Sequence, residues 1–210
     1  MAVARGAAET RQAILQGAAR IIREAGVAHL TLEAVAHEAG ISKGGLLYHF
    51  PTKDALISGM LAQLMEDFTA DIARELAREP GPATGRWLRA YVRASAAVGE
   101  ADLDLTCALL AGIATKPELL EPVRQCFASW QEQAVAEGLD PAEATIVRLA
   151  ADGLWFAEMF DLAPPSGALR QHVLAALLRL AGSGDIPVGD VPAVGAPGEG
   201  VLWAGRTQEA

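Results

Sequence analysis

Apolar residues recur along this chain at the three-to-four spacing of an amphipathic helix, and no stretch alternates as a half-buried strand would. Ile14, Ala18, Ile21, Ile22 and Ala25 make the first such stripe, with Gly26 as its stop. Thr31 is placed to cap a short second helix whose inner face is Leu32, Val35, Ala36 and Ala39, ended by Gly40. Ser42 caps a brief third helix that runs to Phe50 and is closed by Pro51. From about Asp54 a long helix carries Leu56, Ile57, Met60, Leu61, Leu64, Met65, Phe68, Ile72 and Leu76 up to Pro80-Gly81-Pro82.

Beyond that breaker the pattern predicts helices around Trp87 to Val98, Leu103 to Ile113, Pro117 to Gly138, Asp140 to Phe160 and Ser166 to Ala181. Asp140-Pro141-Ala142-Glu143 is the strongest start signal: a capping Asp, Pro at the first helical position and an acid three residues after the cap. Pro122 should make the opening turn of its segment irregular. The fold class read from this pattern is all-α. From Gly182 onward Gly and Pro displace every periodicity, which predicts an extended or disordered tail. The organisation expected is a head over residues 1–54, a helical body over 55–182 and a tail over 183–210.

Of the 210 residues, 51% are hydrophobic and 20% charged, enough to bury a substantial core. No charge-free apolar run reaches the roughly 20 residues of a membrane span, the first ten residues lack the apolar core of a signal peptide, and two cysteines make no disulfide framework. A soluble, cytoplasmic protein without membrane association is expected. The net charge of −9 argues at first against nucleic acid. Its distribution changes the picture: residues 1–60 carry six basic and five acidic side chains, so the remainder bears the whole excess of negative charge. A polyanion would be steered to the head and away from the body.

The informative stretch is Thr31 to Lys53, TLEAVAHEAGISKGGLLYHFPTK. Two short helices joined by Gly40-Ile41-Ser42 have the dimensions of a helix-turn-helix. Gly40 supplies the positive φ of the tight link, and Ile41 an apolar plug. The second helix starts Ser42-Lys43-Gly44-Gly45; small residues there allow close approach to a duplex, and free N–H groups at a helix N-terminus suit phosphate. Two glycines inside a helix cost about 1 kcal/mol each relative to Ala, a local violation of the kind functional sites carry.

These residues resemble the bacterial transcriptional regulators of the TetR family. The signature is Ala25-Gly26, Thr31, Ala36, Ala39-Gly40-Ile41-Ser42, Gly44, Leu47-Tyr48-His49-Phe50, Lys53 and Leu56, and it covers roughly Thr10 to Met60. The resemblance implies a three-helix DNA-binding head joined by a long helix to a ligand-binding and dimerisation domain. It also implies that Ser42 to Phe50 enter the major groove. Tyr48, Lys53 and Thr31 would then hold backbone phosphates, and Lys43, Gly44, Gly45 and His49 would lie nearest base edges. Gly45 departs from the larger residues common at its position, which shifts base readout toward Lys43, Tyr48, His49 and DNA shape.

A body that regulates DNA binding needs a cavity. The residues expected to line it are Phe68, Trp87, Tyr91, Phe127, Trp130, Trp155, Phe156 and Met159, with Asp152, Glu158 and Tyr91 as polar groups. One short recognition helix gives little affinity, so a homodimer on a palindromic operator is expected. Its interface is placed on the last two long helices through Ala150, Gly153, Leu154, Ala157, Val173, Leu174, Leu177 and Leu178. Hydrolase, kinase and phosphate-loop motifs are absent, so no enzyme is expected. The scattered histidines and isolated Cys107 and Cys126 give no metal site, no cofactor and no clear thiol sensor. The function expected is a repressor released from double-stranded DNA by a small, largely apolar effector. The alternative is a helical carrier of hydrophobic molecules that does not bind DNA.

Overall fold

A computed structural model of the chain describes residues 6–99, 105–110 and 116–183. These residues form helices and connecting turns, with no strand among them. The head consists of α1 (Ala7–Ala25), a 3-10 turn (Val27–His29), α2 (Leu32–Glu38) and α3 (Lys43–His49). Then come α4 (Lys53–Arg78), α5 (Arg86–Ala96), a helical segment over residues 105–110 and a 3-10 turn (Pro117–Leu120). The chain continues as α6 (Glu121–Val135), α7 (Pro141–Met159) and α8 (Gly167–Ser183). The tail expected from residue 183 lies outside the described residues apart from its first position, as do the outer parts of the helix expected over Leu103 to Ile113.

Local chemistry sets most boundaries. The hydroxyls of Thr31, Ser42 and Thr52 accept from the backbone N–H groups of Ala34, Gly45 and Ala55 at 3.1, 3.0 and 3.0 Å. Asp140 caps α7 by accepting from both Ala142 and Glu143. Gly40 has φ +67°, the left-handed turn between α2 and α3. Pro122 sits at the second position of α6, directly after the 3-10 turn, so the segment expected from Pro117 opens irregularly before becoming an α-helix. Val98, expected on α5, lies just past its end.

Two buried clusters organise the molecule, and α4 belongs to both. Leu56, Ile57, Met60 and Leu61 of α4 close the head core with Ile14, Leu30, Val35, Leu46 and Phe50. Leu105, Leu109 and Leu119, far along the chain, complete the same cluster. Further along α4, Ile72 enters the second cluster with Leu88, Tyr91, Trp130, Val147 and Leu177. At the centre of the body α5 packs on α4, α7 and α8, and α6 bridges α4 and α7. Gly59 lets the head sit flush on α4: a Cβ there would stand 2.5 Å from Cε1 of Phe50.

One ion cluster pins the turn between α4 and α5. Glu79 accepts from Arg89 and Arg93, both at 3.1 Å, and Arg89 also donates to the carbonyls of Pro82, Thr84 and Ala181. Burial pushes the Glu79 carboxyl up, but the hydrogen bonds and charges of the two arginines hold it below the ordinary glutamate value.

Candidate functional sites: the outer face of the head and the aromatic cavity

The head presents a built outer face. Leu46 and Phe50, one turn apart, are buried and anchor α3 from beneath. That leaves Lys43, Gly44, Leu47 and Tyr48 outward, with Tyr48 83% exposed and its ring edge-on to His49 at 5.2 Å. Thr31, Ser42 and Lys53 are also exposed, and His49 is half-buried. Lys53 donates to the carbonyl of Val27 at 3.4 Å, which holds the ammonium at the rim of the head. Lys43 pairs with Glu33 at 2.5 Å, and its hydrogen bond, with the Glu33 backbone and the Lys43 charge, keeps the Glu33 carboxyl below its ordinary range.

The two glycines of α3 have no internal justification. A Cβ added at Gly44 would meet nothing within 4 Å, and one at Gly45 would meet only Ser42 Oγ at 3.3 Å. Room for larger side chains exists in the free protein, so the need for small ones lies outside it. Leu47, 37% exposed beside Tyr48, belongs to the same face and was missed in sequence reasoning. Its signal was available: with Leu46 and Phe50 inward, helical geometry turns position 47 out.

The body encloses a cavity of about 170 Å³ between α4, α5, α6 and α7. Of the nine residues expected there, Phe68, Tyr91, Phe127, Trp130, Asp152 and Trp155 lie on its wall. Phe68, Tyr91 and Trp130 form a mutual edge-to-face triad with centroids 5.2 to 5.8 Å apart, and Phe127 leans on Trp130 at 4.9 Å. The other three stand elsewhere. Trp87 is buried behind Tyr91; Phe156 is exposed and packs on Phe160; Met159 is half-buried off the wall. Glu158 is taken by Arg170 at 2.6 Å. Leu64, Met65 and Thr106 complete the wall, and Leu64 also packs against the head core.

A hydrogen-bonded chain supports the cavity floor. Tyr91 donates to one oxygen of Asp152 and Arg148 to the other, each at 2.6 Å; Arg148 also donates to Gln131 at 2.6 Å, which donates to Thr145. Burial pushes the Asp152 carboxyl above its ordinary value, against the Tyr91 hydrogen bond and the Arg148 charge. Burial and then the Asp152 charge push the Tyr91 phenol up, so it stays a donor.

A third surface lies on α7 and α8. Ile146, Leu149, Phe156 and Phe160 are exposed at helical spacing, with Ala150 and Gly153 between them and Leu162 and Leu169 alongside. Of the interface residues expected from sequence, Ala150 and Gly153 share this face, while Ala157, Val173, Leu174 and Leu178 are half-buried. Leu154 and Leu177 do not reach it: both are buried inside the protomer. Cys107 and Cys126 are free and half-buried, and burial followed by the Glu66 charge raises the Cys126 thiol. Among the described residues no group of three or more His, Cys, Asp or Glu side chains could hold a metal ion, and no helix is long and apolar enough to cross a membrane.

Residues 14–60 match the family model described as bacterial regulatory proteins, tetR family, and residues 85–182 that of the tetracyclin repressor-like C-terminal domain. The HTH-type transcriptional regulator SrpR of Pseudomonas putida is 36% identical over 73 residues, 33% of this chain and 34% of that protein. The HTH-type transcriptional regulator RutR of Escherichia coli K12 is 35% identical over 68 residues, 32% of each. The chain thus matches about a third of the length of these curated relatives. Solved structures match over more of the chain. A transcriptional regulator from Streptomyces coelicolor A3(2) has a TM-score of 0.65 at 23% identity, over 82% of this chain and 98% of that one. The multidrug binding protein EbrR, in complex with imidazole, has 0.59 at 26% identity, over 87% and 98%.

Proposed function

Because the chain belongs to the TetR family of DNA-binding transcriptional regulators, we propose that it is a repressor that binds a palindromic operator as a homodimer and is released by a small, largely apolar effector. The observation that carries this reading is a shared wall. Leu64 faces the cavity and packs on the head core, and Thr106 faces the cavity from a segment whose Leu105 and Leu109 are part of that core.

An occupant that displaces Leu64 or Thr106 therefore acts on the packing under α3. It tilts the head with α4, and two heads that matched successive major grooves fall out of register. In this reading Tyr48, Lys53 and Thr31 hold phosphates, while Lys43, the glycine pair and His49 meet the groove. Lys43 exchanges Glu33 for DNA on binding. The exposed face of α7 and α8 pairs with its symmetry mate.

Selecting bound duplexes from a random pool, then screening small molecules for release of the winner, tests the reading. A palindromic winner is expected, with binding that weakens steeply with salt and affinity that falls roughly 5- to 150-fold with effector. Affinity indifferent to every cavity ligand would reject effector release. Absence of salt-sensitive duplex binding would instead mark a carrier.

A further inference from the structure

The charges around the cavity do not balance. Among its fifteen lining residues are three carboxylates, Asp67, Asp71 and Asp152, and no lysine, arginine or histidine. Residues 100–104 and 111–115, outside the described part of the chain, contain no basic residue either. Two of the three carboxylates have counter-ions: Arg148 pairs with Asp152, and Arg74, one turn along α4, pairs with Asp71. Asp67 differs. It accepts a hydrogen bond from the neutral Gln63 amide at 2.9 Å. Arg20 and Arg23 line the adjoining cleft between α1 and α4, which Asp67 also borders, and there Arg20 is held by Glu38 at 2.7 Å.

Beneath Asp67 lies the triad of Phe68, Tyr91 and Trp130, with Phe127 and Trp155 beside it. The faces of such rings attract a cation, and more strongly where water is excluded. The excess of negative charge beyond residue 60 adds a long-range field of the same sign. An anion would meet carboxylates with no basic partner on the wall, and a neutral molecule would leave the charge of Asp67 unused.

We infer that the cavity selects a flat aromatic monocation, its ring system stacked among Phe68, Trp130 and Trp155 and its positive charge set against Asp67. This deepens the effector reading and rests on it: the effector is apolar in body and carries one positive charge. Asp67 is the specificity-determining residue, and it stands one turn beyond Leu64, the residue the cavity shares with the head core.

Three probes of one shape and different charge test this by calorimetric titration of the full-length protein. They are N-methylacridinium, acridine at a mildly alkaline pH where it is neutral, and 9-anthracenecarboxylate. The cation is expected to bind most tightly and the carboxylate most weakly. Asp67→Asn, a change at an exposed position, is expected to lower the ratio of N-methylacridinium to acridine affinity about fivefold. Carboxylate binding equal to or tighter than the cation overturns the charge assignment and leaves the effector cavity standing. A ratio unchanged in Asp67→Asn overturns the role of Asp67. Failure of all three probes to bind overturns both this inference and the cavity's place in the proposed function.

Discussion

Two adjacent glycines on the exposed face of α3 carry a helix-propensity cost that no contact inside the protein offsets. Their neighbours were legible in sequence because the governing chemistry is local: the Thr31 and Ser42 caps and the positive φ of Gly40 depend on residues within four positions. The structure adds what sequence could not, that the space beside Gly44 is empty. Gly44→Ala is therefore expected to stabilise the free protein by up to about 1 kcal/mol, raising the thermal midpoint by roughly 2–4 °C. It should also weaken operator binding about tenfold, the equivalent of about 1.4 kcal/mol. Thermal melting and fluorescence anisotropy check the two halves separately. A stabilised variant with full operator affinity would remove the glycine pair from the DNA interface.

At the scale of elements, periodicity shows which stripe of a helix is apolar but not which neighbour covers it. The stripe of Leu105 and Leu109 lies in the head core although these residues follow α5. On α7 both sides are apolar: Ala144, Val147, Ala151 and Leu154 face inward, and Ile146, Leu149, Ala150 and Gly153 face out. A helix apolar around most of its surface needs covering on both sides, and sequence alone does not say which side the protomer covers. That is why Leu154 and Leu177 were assigned outward. The ion cluster at the α4–α5 turn was equally invisible, since its members span ten to fourteen positions in an irregular loop. Glu79→Gln leaves the buried Arg89 guanidinium without its counter-ion. The cost at neutral pH is expected near 3 kcal/mol, the low end for such a loss because Arg89 keeps its carbonyl acceptors. The folded Glu79 has a lowered pKa, so its stabilisation is complete above the unfolded glutamate value and disappears as pH falls through the folded one. Denaturant titrations of wild type and variant should converge in acid. A gap that ignores pH would mean the charge of Glu79 is not what stabilises the turn.

For the whole molecule, the division of charge and the division of surfaces serve one arrangement. Negative charge beyond residue 60 keeps a duplex away from the body, and the head alone offers the tyrosine, lysines and close-approach face. One head of this size makes few contacts, so affinity depends on a second head held at a fixed distance. That distance is set by the face of Ile146, Leu149 and Phe156, whose side chains each contribute about 1.5–3 kcal/mol when fully buried. Leu149→Asp places a charge at the middle of that face. It costs a free protomer little, because Leu149 is 53% exposed there, but an unpaired charge buried between two protomers is strongly unfavourable. Light scattering should show a monomer where the parent protein is a dimer. Operator affinity should fall by more than the hundredfold of two lost contacts, whereas the cavity, lined within one protomer, still takes its ligand. The combination is diagnostic. A dimeric Leu149→Asp with intact DNA binding would move the interface off this face, and a monomeric one that still grips the operator would show that a single head suffices.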